Sequence, residues 1–128
     1  MTTTISKIVM PGDPVPAARP KVYRHGTTYP KRYQMYRVAG HSWAEKQPWV
    51  IHLGPLRVTT YFVITKPRTS KLSHPIGDVD NYAKAVLDIL NKRAWNDDVQ
   101  IIDLQATKRF AAPGEDPHTV VTIEPLGE

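Results

Sequence analysis

The residues best suited to chemistry are acids in two short groups. Asp78 and Asp80 flank Val79 and are followed by Asn81, and the pair Asp97-Asp98 comes about twenty residues later. Two carboxylates at i and i+2 in extended chain point to opposite sides, but at a bend into a helix they can converge. A third acid from the start of the next strand would close the cluster, because only a short turn separates that strand from the helix. Three oxygen donors with open positions suit Mg²⁺ or Mn²⁺. Such an ion polarises a phosphoryl group and lowers the pKa of an attacking water. Lys84 follows Asp80 by four residues, so both project from one helix face, and a cation there offsets charge on a departing oxyanion. The candidate ligands are Asp78, Asp80 and Asp98, with Asp97 as an alternate ligand or a support behind the others.

Each acid also has a plainer reading. Asp78 or Asp80 can cap a helix, Asp80 and Lys84 can form a surface pair of little energetic consequence, and Asp97-Asp98 can shape a turn. Their coincidence beside a basic segment favours the metal reading. Of the 128 residues, the first 77 carry +10 and the remainder −5. Between Asp13 and Asp78 the only acid is Glu45. A field of that kind suits a polyanion, nucleic acid being the commonest. Arg19, Lys21 and Arg24 lie in an arm shared with Tyr23, Tyr29 and Tyr33, and Lys66, Arg68 and Lys71 lie in the loop that leads to Asp78. Cations interleaved with flat rings hold phosphates and stack on bases, so these six cations are the expected DNA contacts.

The elements that position these residues can be read from periodicity. Residues 5–10 alternate as a short strand, prolines then break any ladder, and residues 17–33 read as an irregular arm. Residues 31–47 have helical spacing, weakened by Gly40 and stopped by Pro48. Residues 56–65 form a β-branched, aromatic strand whose faces are both partly apolar, which places it inside a sheet. Residues 80–92 are the clearest helix, with Ala83, Val86, Leu87 and Leu90 as its stripe. Residues 95–98 turn, residues 99–110 form a strand with Ile102, Leu104 and Ala106 on one face, and residues 118–124 form the last strand. The order implies one α/β (α+β) domain over 1–128. Two helices pack on a mixed sheet of about four strands, and the basic arm (about 14–33) belongs to the same unit.

Several functions are excluded by what the chain lacks. There is no cysteine, hence no disulfide scaffold, thiolate zinc site or Cys nucleophile. The five histidines show no ligand spacing. No phosphate-cradling GxxxxGK[ST] or GxGxxG argues for a bound nucleotide cofactor, and no serine stands in a GxSxG elbow. The first 30 residues contain no apolar signal segment, and the longest apolar stretch, 58–65, is far too short to span a bilayer. A cytoplasmic protein is expected.

Over about residues 76–110 the chain resembles the RusA family of Holliday-junction resolvases, of the crossover junction endodeoxyribonuclease type found in phages and prophages. The resemblance rests on Gly77-Asp78-Val79-Asp80-Asn81 with Lys84-Ala85, on Asp88-Ile89-Leu90-Asn91, and on Ala94-Trp95-Asn96-Asp97-Asp98-Val99-Gln100. Pro14-Val15-Pro16 with Arg19-Pro20-Lys21 is similar to the opening of phage-type members. By this resemblance Asp78, Asp80 and Asp98 match the family's metal-binding aspartates, Lys84 its catalytic lysine, and Lys108 a basic, DNA-facing position. It implies a Mg²⁺-dependent endonuclease acting as a homodimer on four-way DNA junctions in a bacterial cell, with paired nicks in strands of like polarity. Two readings compete with it: a non-catalytic DNA-binding module, and a metal-dependent nuclease without junction preference.

Overall fold

Residues 5–127 are described by a computed structural model. In chain order the elements are strand β1 (Ser6–Pro11), a hairpin of β2 (Lys21–Tyr23) and β3 (Gly26–Thr28), and helix α1 (Lys31–Glu45). Strand β4 (Leu56–Ile64), helix α2 (Val79–Leu90), strand β5 (Ile101–Phe110) and strand β6 (His118–Pro125) follow, with one 3-10 turn, Asp98–Gln100, leading into β5. The main sheet has the order β1-β6-β4-β5. β6 is antiparallel to both β1 and β4, while β4 and β5 run parallel. The sheet is therefore mixed and four-stranded, as expected, with β4 interior.

β4 carries the core because every second residue from Leu56 is buried, with Val63 buried on the other face as well. Leu56, Val58, Thr60, Phe62 and Ile64 are all buried, and the register sets Val58 beside Ile123 and Thr60 beside Val121. Ala44 of α1 and Ala83, Val86, Ile89 and Leu90 of α2 join the same apolar cluster, closed by Trp95. On the other face of β4, Arg57 bridges two neighbouring strands, to Asp103 at 2.7 Å and Glu124 at 3.0 Å.

Three expectations need correction. The arm is not wholly irregular, since it contains the β2–β3 hairpin; its strands of three residues, exposed throughout, carry no periodic signal. β5 begins at Ile101, and the pairing steps from Leu56↔Ile101 to Arg57↔Asp103, so Ile102 is bulged outward and 68% exposed. Leu104, on this edge strand, is 46% exposed, leaving Ile101 and Ala106 as the β5 residues that meet the core. Finally, α1 stops at Glu45, three residues short of Pro48.

Gly40, which weakens α1 on propensity, has a packing reason to be there. A Cβ at this position would overlap Ile89 Cδ1 and press on Met10 Cε at 3.1 Å. The glycine lets α1 and α2 approach closely. Gly40→Val is expected to destabilise the protein by about 1–3 kcal/mol through overpacking. Urea denaturation checks this, and a variant as stable as the parent would show that the crossing has slack.

Candidate active site

α2 opens on a glycine that no other residue replaces cheaply. Gly77 has φ 92°, and a side chain there would also meet the Tyr82 ring at 3.3 Å. The preceding loop is tied down twice. Tyr82 donates its hydroxyl to the Ile76 carbonyl at 3.0 Å. Lys108 donates its ammonium to the carbonyls of Pro75, at 2.8 Å, and Gly77. Lys108 was expected to face DNA; its charge is instead engaged in holding the loop that presents Asp78.

Asp78 occupies the N-cap position of α2 yet makes no capping bond through its side chain. Among the described residues, neither Asp78 nor Asp80 forms a side-chain hydrogen bond or ion pair, and Asp80 and Lys84 do not pair. The two plainer roles for these acids are thus absent. Both carboxylates and Lys84 line a cleft of about 590 Å³. Its opposite wall is the segment 17–20, including Arg19, together with Tyr29 and Tyr33. That wall is pinned to α2 by the Ala17 N–H, which donates to the Asn81 carbonyl at 2.9 Å.

The cleft contains an acid that stands in the motif without an assigned role. Asp88 also lines it, and Asp80, Lys84 and Asp88 recur at four-residue intervals, so they share one helix face. That spacing was the available signal. The Asp88 carboxyl is raised above its ordinary range, first by partial burial and then by the negative charge of Asp98. Lys84, Arg37 and His41 pull it the other way. Burial and then the charge of Asp88 in turn raise the Tyr33 phenol.

Asp98 does not converge with Asp78 and Asp80 as expected. The short connection after α2 leaves Asp98 near the helix's C-terminal end, beside Asp88, while the other two acids sit at its start. Ten residues of helix separate Asp78 from Asp88, on the order of 15 Å along the axis. Among the described residues no three His, Asp or Glu side chains stand close enough to enclose an ion. Two uncommitted carboxylates facing a polar cleft still fit Mg²⁺, which takes one or two carboxylates and completes its shell with waters and phosphate oxygens.

Asp98 is held firmly where it is. The buried Trp95 indole donates to Asp98 Oδ1 at 2.7 Å. Asp97 Oδ1 accepts from the Val99 N–H at 2.9 Å and so caps the 3-10 turn rather than reaching the cleft. Gln100 completes the capping box. Its Oε1 accepts from the N–H groups of Asn96 (2.8 Å) and Asp97 (3.0 Å). Its amide donates to the carbonyls of His52 and Gly54, each at 3.0 Å. Neither Trp95 nor Gln100 was singled out by residue chemistry, although both stand in the motif.

The remaining expected contacts are dispersed. Lys21 and Arg24 lie on the exposed hairpin. Lys66 places its ammonium 5.7 Å from the centre of the Phe110 ring. Arg68 and Lys71 are exposed in the loop before α2. Residues 11–124 match the family described as Endodeoxyribonuclease RusA. The chain belongs to the RusA family. A Bacillus subtilis (strain 168) relative, uncharacterized protein YqaN, is 44% identical over 46 residues. That match covers 36% of this chain and only 30% of the relative. No helix among the described residues is long and apolar enough to cross a membrane.

The Trp95–Asp98 bond gives a direct test of the turn. Trp95→Phe keeps most of the ring volume and removes the donor to a charged acceptor, a loss expected to cost about 1.5–3 kcal/mol. Chemical denaturation at neutral pH checks it, and an unchanged midpoint would mean that Asp98 readily finds another donor.

Proposed function

We propose that this RusA-family chain is a Mg²⁺-dependent endodeoxyribonuclease that nicks four-way DNA junctions in the bacterial cytoplasm. The observation that carries the reading is the pair Asp78 and Asp80, free of capping and pairing roles, beside Lys84 and facing Arg19 across one polar cleft. Asp78 and Asp80 would hold Mg²⁺ (or Mn²⁺), which when bound polarises the phosphoryl group and lowers the pKa of the attacking water. Arg19 is placed to hold a phosphate oxygen, and Lys84 to offset charge on the departing oxyanion. The resemblance gives Asp98 a part in the same chemistry, and its charge is felt by Asp88, which lines the cleft. A homodimer would present two identical sites to a junction that is itself nearly two-fold symmetric, which accounts for paired nicks.

The decisive experiment incubates the protein with a synthetic four-way junction and, separately, a linear duplex, with and without Mg²⁺. Mg²⁺-dependent nicking of the junction is expected. Asp78→Asn, Asp80→Asn and Asp98→Asn should each abolish nicking while junction binding persists or tightens, because less negative charge faces the phosphates. Lys84→Ala should lower the nicking rate about 10²–10³-fold with binding unchanged. Junction binding without any nicking would point to a DNA-binding module, and equal nicking of both substrates to an unselective nuclease.

The loop before α2 supplies a separate expectation. It leads directly to Asp78, so Arg68 and Lys71 are close to the path of the cleaved strand. Each phosphate contact contributes about 0.9 to the slope of log K against log salt on duplex DNA. Replacing both residues with Ala should flatten that slope by roughly two and weaken binding, with turnover of bound substrate preserved. A salt titration overlaying the parent would place both cations away from DNA.

A further inference from the structure

The β2–β3 hairpin has no structural reason to hold its shape. All eight residues from Lys21 to Thr28 are exposed, so the hairpin contributes nothing to the core, and an isolated two-stranded hairpin is marginal in water. Its roots, however, are fixed at the acidic cleft. Pro20 and Tyr29, the residues immediately flanking it, both line that cleft. Gln34 clamps the returning strand by donating its amide to Thr28 Oγ1 at 2.6 Å and to the Tyr29 carbonyl at 2.9 Å. The hairpin thus projects from the wall opposite Asp78 and Asp80.

Its chemistry is selective. It carries Lys21, Arg24 and His25, with no acid anywhere between Asp13 and Glu45. At its tip the Tyr23 and His25 rings lie nearly parallel, at 14°, with centroids 6.1 Å apart. Val22 beside them is 81% exposed. Flat rings and an apolar side chain facing water, ringed by cations alone, match a nucleic-acid base more closely than a phosphate. In continuous duplex the bases are stacked and closed to such a surface, whereas at a branch point the stack is interrupted.

We propose that Tyr23 and His25 stack on a base exposed at the branch point, and that this contact, rather than the cleft, selects junctions over linear duplex. The inference rests on the DNA-junction reading above and adds the element that would confer the selectivity. Lys21 and Arg24 then act on backbone phosphates, which both substrates offer equally.

The test compares equilibrium binding to a four-way junction and to a linear duplex of the same sequence, in EDTA so that neither is cut. The double variant Tyr23→Ala with His25→Ala alters only exposed side chains, and its thermal melting should match the parent. Its junction-to-duplex affinity ratio should fall roughly five- to 150-fold, the contribution of one stacked base. Lys21→Ala with Arg24→Ala should weaken both substrates and leave the ratio unchanged. An unaltered ratio in the aromatic variant, or an equal loss on both substrates, would overturn the proposal. Failure of the parent itself to prefer the junction would sink the junction reading instead.

Discussion

Because β4 and β5 run parallel, the chain must travel back along the sheet between them, and α2 makes that journey. Both ends of the passage are marked by bonds. At one end Lys108, near the finish of β5, holds the carbonyls that precede Asp78. At the other, Trp95 and Gln100 fasten the turn that enters β5 at Ile101. A helix of twelve residues therefore fixes the separation between the two acidic groups. The four-residue ladder of Asp80, Lys84 and Asp88 runs between them on one face. Had β4 and β5 been antiparallel, a tight turn would have sufficed and no helix would have carried this row.

Positioning at both ends follows one physical rule: a carboxylate that is to serve chemistry must not be used up by the backbone. Asp97 obeys the ordinary tendency of an acid ahead of a helical turn and caps it. Asp78, in the equivalent place before α2, leaves its side chain uncommitted. The work of fixing the loop falls to Lys108, Tyr82 and the left-handed Gly77. At the far end, the indole of Trp95 bonds one oxygen of Asp98 and comes from the largest fully buried side chain in the core. The orientation of that acid is thus coupled to core packing.

Much of this was legible in the residues. β4 and α2 were readable because their burial is periodic, and the acids because Asp at i and i+2 beside a helical stripe is unusual in a merely structural role. Three things were not legible. Asp98 falls short of Asp78 because a short turn sets the residues after it beside only the helix end it follows. Gly40 reads as a weak point by propensity, since propensity is blind to what packs across the helix. The hairpin was invisible because strands of three exposed residues have no pattern for water to impose.

Charge completes the arrangement. Asp78, Asp80 and Asp88, at the start of α2 and along it, would repel a phosphate backbone, so affinity must come from elsewhere in the chain, and most of the basic residues precede them in sequence. The 17–20 segment brings Arg19 to the cleft beside α2, and Arg68 and Lys71 stand exposed on the loop that precedes Asp78 in sequence. A phosphate drawn in by such cations meets negative charge at the cleft, where a divalent ion would reverse the sign of the field. Affinity and reactivity are then set by different residues and respond to different variables, salt for the first and divalent metal for the second.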